Sequence, residues 1–178
     1  MSDAAPEPTA EPVAVAISGD ATPPTTPMPW AEAERRLAGT QTYWLATTTP
    51  EGRPHVRPVL GVWVDGALHT TSSPAARKAR NLAEDDRCSF SLSADAVDVV
   101  LEGRAAKVVE ADHLQRVADA YDEKYGWPPT VADGAFDAPY GAPTAGPPPY
   151  EVYEITPTVV FGFGTDEVHA PRSTRWTF

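Results

Sequence analysis

The chain has 178 residues, a formal net charge of −11 and a single cysteine, Cys88. That length supports one folded domain, the acidic balance argues against a nucleic-acid partner, and a lone cysteine excludes a disulfide framework or a multi-cysteine metal cluster. Hydrophobic residues make up 42% of the chain, yet none of its apolar runs nears the roughly 20 residues of a membrane span, so the expectation is a cytoplasmic globular protein with no membrane contact.

Residues 1–29 hold seven prolines and four acids (Asp3, Glu7, Glu11, Asp20) but no Lys or Arg. Such a segment buries too little surface to offset its ordering entropy and is read as a disordered Pro/Ala-rich tail. It lacks the basic start and apolar stretch of a secretory signal. The folded body is therefore expected over 30–178. A first helix spans Trp30–Leu37 and ends near Gly39. Gln41–Thr49 alternates Tyr43, Leu45 and Thr47 against Trp44, Ala46 and Thr48, the period of a half-buried strand. Turn chemistry at Pro50–Pro54 leads into a Val-rich strand, His55–Val64. Asp65-Gly66 signals a two-residue hairpin into Ala67–Ser72. Ser73 offers an N-cap and Pro74 a first helical residue for a helix over Pro74–Ala83. Arg87–Ser93 and Val97–Val109 read as strands, with Gly103 a bulge or corner in the second. Ala111–Tyr125 carries Leu114, Val117, Ala118, Tyr121 and Tyr125 at helical spacing and stops at Gly126. The stretch 126–149 contains seven prolines and four glycines, but also Trp127, Phe136 and Tyr140 as anchors, and is read as an ordered loop or lid over a pocket or interface. Strands at Tyr150–Ile155, Thr158–Phe163 and Ser173–Phe178 complete about eight. Hairpin-linked strands with three helices predict a mainly β (α+β) fold, a small closed or half-open antiparallel barrel.

The most informative stretch for chemistry is Thr70–Leu82. Four hydroxyl residues, Thr70 to Ser73, run into a helix start whose free amides favour an anion. Arg77, Lys78 and Arg80 follow at the positive end of the helix dipole, where cations are the wrong sign unless an anion sits between them. Arg57, on a neighbouring strand, adds a further cation. His55, His69, His113 and His169 have no metal-ligand spacing, so no metal is expected, and His113 is expected to be exposed. Walker, HExxH and GxSxG motifs are absent, and Cys88 reads as a core residue. The catalytic residues themselves stay unknown at this level.

Arg57-Pro58-Val59-Leu60, Asp65-Gly66, Thr70–Lys78, Asn81-Leu82 and Arg87–Leu92, in this order, resemble the pyridoxamine 5′-phosphate oxidase-like superfamily of flavin and deazaflavin oxidoreductases. The closing Thr174–Phe178 is similar to the end of actinobacterial members. The resemblance implies a split β-barrel of the FMN-binding type that forms a homodimer, with the cofactor at the subunit interface. It implies FMN or the deazaflavin coenzyme F420 as cofactor, and two-electron transfer to or from a small-molecule substrate. By position it assigns Arg57, Thr71, Ser72, Ser73, Arg77 and Lys78 to the cofactor phosphate, and Arg175 and Trp176 to its ring. Val62 stands where the true oxidase has a lysine, and the C-terminus lacks the Arg-x-His that serves the vitamin substrate, so pyridoxamine phosphate itself is not expected. Two further readings follow from the same family: a haem-binding or haem-degrading relative, for which His55 and His69 are the histidines near the site, and a non-catalytic flavin-binding dimer.

Overall fold

The structure, a computed structural model, describes residues 7–13, 26–140 and 145–178. In chain order its elements are β1 (Thr9–Pro12), α1 (Trp30–Gly39), β2 (Tyr43–Thr48), β3 (Pro54–Val59), β4 (Gly61–Val64), β5 (Ala67–Ser72), α2 (Arg77–Glu84), β6 (Arg87–Ala94), β7 (Val97–Val108), α3 (Ala111–Tyr125), β8 (Thr130–Ala132), β9 (Ala135–Asp137), β10 (Glu151–Gly164) and β11 (Thr174–Thr177). A 3₁₀ turn at Ala170–Arg172 precedes the last strand. Strand pairing is antiparallel and three helices accompany it, which is the split β-barrel class. The chain divides into two compact units, and β6, β7 and β10 each begin in one and end in the other.

The larger unit comprises Gln41–Cys88 and Arg104–Thr156. In β2, Tyr43, Leu45 and Thr47 are buried while Trp44 and Thr48 face outward, as the period-two pattern requires. The strand expected over His55–Val64 is two strands. Val59 ends the ladder with β2 opposite Tyr43, and Gly61 opens the ladder with β5 opposite Thr70. Leu60 is thus the corner at which the chain exchanges one partner strand for another. Glycine is required just after it, because a Cβ at Gly61 would meet the His69 carbonyl oxygen at 3.1 Å and the Tyr43 ring at 3.2 Å. Asp65 and Gly66 take φ of 52° and 79°, the positive pair that a two-residue hairpin demands.

Helix α3 matches its predicted bounds and ends at Gly126, whose φ of 61° and N–H bond to the Asp122 carbonyl close the last turn. Its buried face, Leu114, Val117, Ala118 and Tyr121, packs with Val62, Phe136, Tyr150 and Val152. The proline-rich stretch after α3 is ordered where described, because β8 and β9 pair and Trp127 sets its indole edge-on to Tyr121 (5.3 Å) and Tyr150 (5.7 Å). Tyr140 is fixed differently from the apolar anchor expected: it is 55% exposed, its hydroxyl donates to the Gly126 carbonyl, and its own carbonyl accepts from the Trp127 indole. Residues 141–144 of this stretch lie outside the described residues.

The second unit comprises the described residues up to Thr40, with Ser89–Gly103 and Pro157–Phe178. Here β11 is sandwiched between β10 and β1, Trp176 pairing with Val160 on one side and Ala10 on the other. Residues 9–12, expected within the disordered tail, are therefore a strand. Their side chains are exposed, so the backbone ladder holds them in place of apolar burial. Residues 1–6 and 14–25 of the expected tail lie outside the described residues. The two strands expected over Tyr150–Ile155 and Thr158–Phe163 are one continuous strand, β10, which passes through Pro157. The core of this unit forms around Trp176, which is fully buried, against Gly162 and edge-on to Trp30 at 5.7 Å.

Candidate functional site

Helix α2 begins at Arg77, three residues later than expected. Ser73 to Ala76 form a turn closed by the Ala76 N–H on the Ser73 carbonyl (3.0 Å), in which Pro74 supplies the preset φ of the second turn residue. The cap position falls to Ala76, which has no side-chain acceptor, and the first helical turn carries no acid. The amides opening α2 therefore lie beside Arg77 and Lys78 with no side-chain cap among the described residues.

Arg57 joins this group from β3. The β2–β3 register places Arg57 opposite Leu45 and His55 opposite Thr47, on the face of the hairpin where β2 is buried. Burial, and then the charges of Arg57, Arg77 and Lys78, hold His55 below its ordinary proton affinity. Burial and the Arg57 charge do the same to Lys78. Among the described residues none of these three cations lies within ion-pair distance of a carboxylate; Arg57 donates only to the Val56 carbonyl, at 2.7 Å. The floor beside them is polar. The Thr47 hydroxyl accepts from the Asn81 amide (2.9 Å) and lies 3.4 Å from His55 Nδ1, while Asn81 Oδ1 is buried without a partner. Arg57 and Arg77 are exposed and Lys78 is partly buried, so the three like charges stand open to solvent in an arrangement that suits a multiply charged oxyanion.

The remaining sequence candidates divide. Ser73 lies in the turn that leads into α2, its hydroxyl accepting from the Ala75 N–H at 3.4 Å. Ser72 is buried and donates to the Ser73 carbonyl. Thr71 stands beside Val152, on the face of β5 that α3 covers, close to the Tyr121 phenol. Arg175 and Trp176 belong to the second unit and are engaged there. Arg175 pairs with Glu11 at 3.3 Å. Trp176 is wholly inside its core, where a Cβ on Gly162 would touch its ring at 3.0 Å, so its indole has no free face to offer a cofactor ring. From sequence His55 is named only as a histidine near the site in the haem reading and Asn81 only as part of the family motif, and Thr47 is given no role. The signal available was the strand alternation, which sets Thr47 and His55 on the face of Arg57.

Folding also gathers residues that sequence spacing kept apart. His69 of β5, His113 of α3 and Glu154 of β10 bring their ring nitrogens and carboxylate together. His113, expected to be exposed, is mostly covered, and its Nε2 lies 3.0 Å from that of His69. Cys88 is the inert core residue expected, its thiol pushed up to about 12 by burial.

The sequence pattern of the pyridoxamine 5′-phosphate oxidase family matches residues 29–163. A search of curated proteins returns no match. Among solved structures, a conserved hypothetical protein of Mycobacterium tuberculosis is similar at 23% identity and a TM-score of 0.61, over 79% of this chain and 88% of that one. A heme binding protein of Mycobacterium smegmatis is similar at 25% identity and a TM-score of 0.59, over 82% of this chain but 56% of that longer one. A FAD-binding protein of Mesorhizobium loti shares the fold at 18% identity and a TM-score of 0.53, over 85% and 95% of the two chains. A family match through three quarters of the chain, the barrel class and the cation-lined start of α2 agree, and the chain belongs to the pyridoxamine 5′-phosphate oxidase family.

Proposed function

We propose that the protein binds a phosphate-bearing flavin-type cofactor, FMN or the deazaflavin coenzyme F420, and works as an oxidoreductase on a small molecule. The observation that carries this reading is the trio Arg57, Arg77 and Lys78, which share one electrostatic field at an uncapped helix start and lack carboxylate partners among the described residues. The residues fit the group. Arg57, Arg77 and Lys78 would hold its phosphate, with the α2 amides and the Ser73 turn completing the cradle. When bound, such a cofactor supplies two-electron transfer, and the protein's share is position and electrostatics. Burial and the charges of Arg57, Arg77 and Lys78 lower the proton affinity of His55, whose ring offers a hydrogen-bonding group beside the site.

A homodimer belongs to the same reading. Trp44, Val56 and Leu60 are 51%, 45% and 39% exposed on or just after the β2–β3 hairpin, and the ladder places Trp44 beside Pro58 and Ala46 beside Val56. An apolar strip of this kind on an edge hairpin fits a second copy of the chain.

The test is the absorption spectrum of protein purified from a host that makes both cofactors, with mass analysis of whatever denaturation releases. Released FMN or coenzyme F420 at one per chain is the expected result. A Soret band with released haem, or a protein that binds neither flavin type on titration, overturns it. Flavin bound without turnover by any reductant would reduce the reading to a carrier.

A further inference from the structure

We propose a second, separate ligand site in the larger unit: His69, His113 and Glu154 form a three-ligand site for a divalent transition metal of the zinc class, with a fourth position open to solvent. Three elements build it. The β5–β10 ladder sets Glu154 directly opposite His69, on one face of the sheet. Helix α3 lies across that face and presents His113 from its first turn.

The distances bring three donor atoms to one point. His69 Nε2 and His113 Nε2 are 3.0 Å apart, and a Glu154 oxygen lies 3.4 Å from the first and 3.5 Å from the second. A charge-assisted bond from imidazole to carboxylate closes to about 2.7–2.9 Å. Four-coordinate zinc, with bonds of about 2.0–2.2 Å to nitrogen and oxygen, spaces its ligand atoms about 3.3–3.5 Å apart. The two edges to Glu154 match that spacing, while the His–His edge is at hydrogen-bond length and would open by a few tenths of an ångström around an ion; all three ligand atoms lie within 4.8 Å of one another.

The surroundings agree. His69 is fully buried. With Nε2 turned to the cluster, its proton belongs on Nδ1, which has no hydrogen-bond partner although the Ala67 backbone lies near enough to favour the protonated ring. A backbone carbonyl there is the usual support of a metal-bound histidine. Asp65 and Arg116, the other charged groups felt by His69, are paired with each other at 2.9 Å and compete for neither imidazole. The Glu154 side chain is 31% exposed and that of His113 20%, which leaves room for a water or substrate oxygen at the fourth position. Donors of two nitrogens and one oxygen suit Zn²⁺ better than Mg²⁺ or Ca²⁺.

The experiment uses the full-length, untagged protein, stripped with a chelator and titrated first with Co²⁺ and then with Zn²⁺. The expected result is one Co²⁺ per chain with the intense visible absorption of four-coordinate cobalt, displaced by one equivalent of Zn²⁺. Glu154→Gln, which keeps the shape of the side chain, and His113→Ala, at a partly exposed position, each weaken Zn²⁺ binding by at least tenfold. Circular dichroism confirms their folding. Arg77→Ala/Lys78→Ala keeps full Zn²⁺ affinity, so that failure of the phosphate site and failure of this one are told apart. A pale, six-coordinate cobalt spectrum in the parent protein, or Zn²⁺ affinity unchanged in both ligand variants, overturns the proposal and leaves a polar triad only.

Discussion

Two groups of cations in the molecule are handled differently. In the smaller unit Arg36 and Arg172 share Glu32, and Arg175 faces Glu11. In the larger unit Arg53, Arg87, Arg104 and Arg116 are likewise paired with acids, whereas Arg57, Arg77 and Lys78 stand together without an acid among the described residues, in a chain whose acids outnumber its bases by 25 to 14. Where carboxylates are so plentiful, a cluster of cations kept free of them is the feature on which the proposed phosphate site rests. The paired arginines, by contrast, are accounted for by local structure. The exposed Arg175–Glu11 pair contributes little to stability, and the geometry of these pairs gives no reason to invoke a ligand.

That contrast can be broken at either end. The largest effect is expected at Trp176→Ala, which empties the core of the smaller unit and costs about 3–5 kcal/mol in chemical denaturation. Its folded fraction is expected to bind flavin as the parent does, and a selective loss of binding would return Trp176 to the cofactor site. Next comes Arg77→Ala/Lys78→Ala. Two charge-assisted bonds at about 1.5–3 kcal/mol each predict at least a 100-fold loss of FMN affinity in a fluorescence titration. Riboflavin, lacking the phosphate, should bind parent and variant alike. The contrast is sharpened by Arg175→Ala, expected to shift stability by about 1 kcal/mol or less and to leave FMN affinity unchanged. Equal damage from Arg175→Ala and the double variant would erase the distinction between the two groups.

The smallest effect is a pH dependence. Lys124 donates to the Tyr43 phenol and the Gly61 carbonyl, and burial lowers its amine to about 8. Between pH 8 and the ordinary lysine range the unfolded chain holds more protons than the folded one, so stability rises with pH. Burial raises the phenols of Tyr43, Tyr121 and Tyr153 instead. Above about pH 10 the folded state is then the one that keeps protons, and stability falls. The melting temperature should climb from pH 8 toward 10 and drop beyond it, and Lys124→Met should flatten the rising limb.

What sequence reveals here follows the reach of each interaction. The Asp65-Gly66 hairpin, strand Ala67–Ser72 and helix Ala111–Tyr125 are read within a residue or less, because turn chemistry, alternation and the Gly126 stop act over a few positions. The cation trio is legible for a related reason. Arg77 and Lys78 stand at a helix start, and only the arrival of Arg57 needs tertiary structure. The misplaced start of α2 shows a local contest: Ser73-Pro74 is as good a turn as it is a cap, and the turn prevails. The break at Leu60 depends on two different partner strands, one on each side of it, and no property of His55–Val64 alone reports that. The His69–His113–Glu154 cluster is further out of reach, since its histidines are 44 residues apart and meet only when α3 covers the sheet.

Strand β1 has a consequence for how the molecule meets other chains. Without it, Thr174–Thr177 would end the sheet with a bare row of amides and carbonyls, the kind of edge on which foreign strands assemble. Pairing with Thr9–Pro12 moves that edge outward onto four residues that include a charged Glu11 and a proline with no N–H to give. The segment that looks most dispensable in composition therefore acts as a guard against aggregation, replacing an adhesive border with one that other strands cannot readily extend.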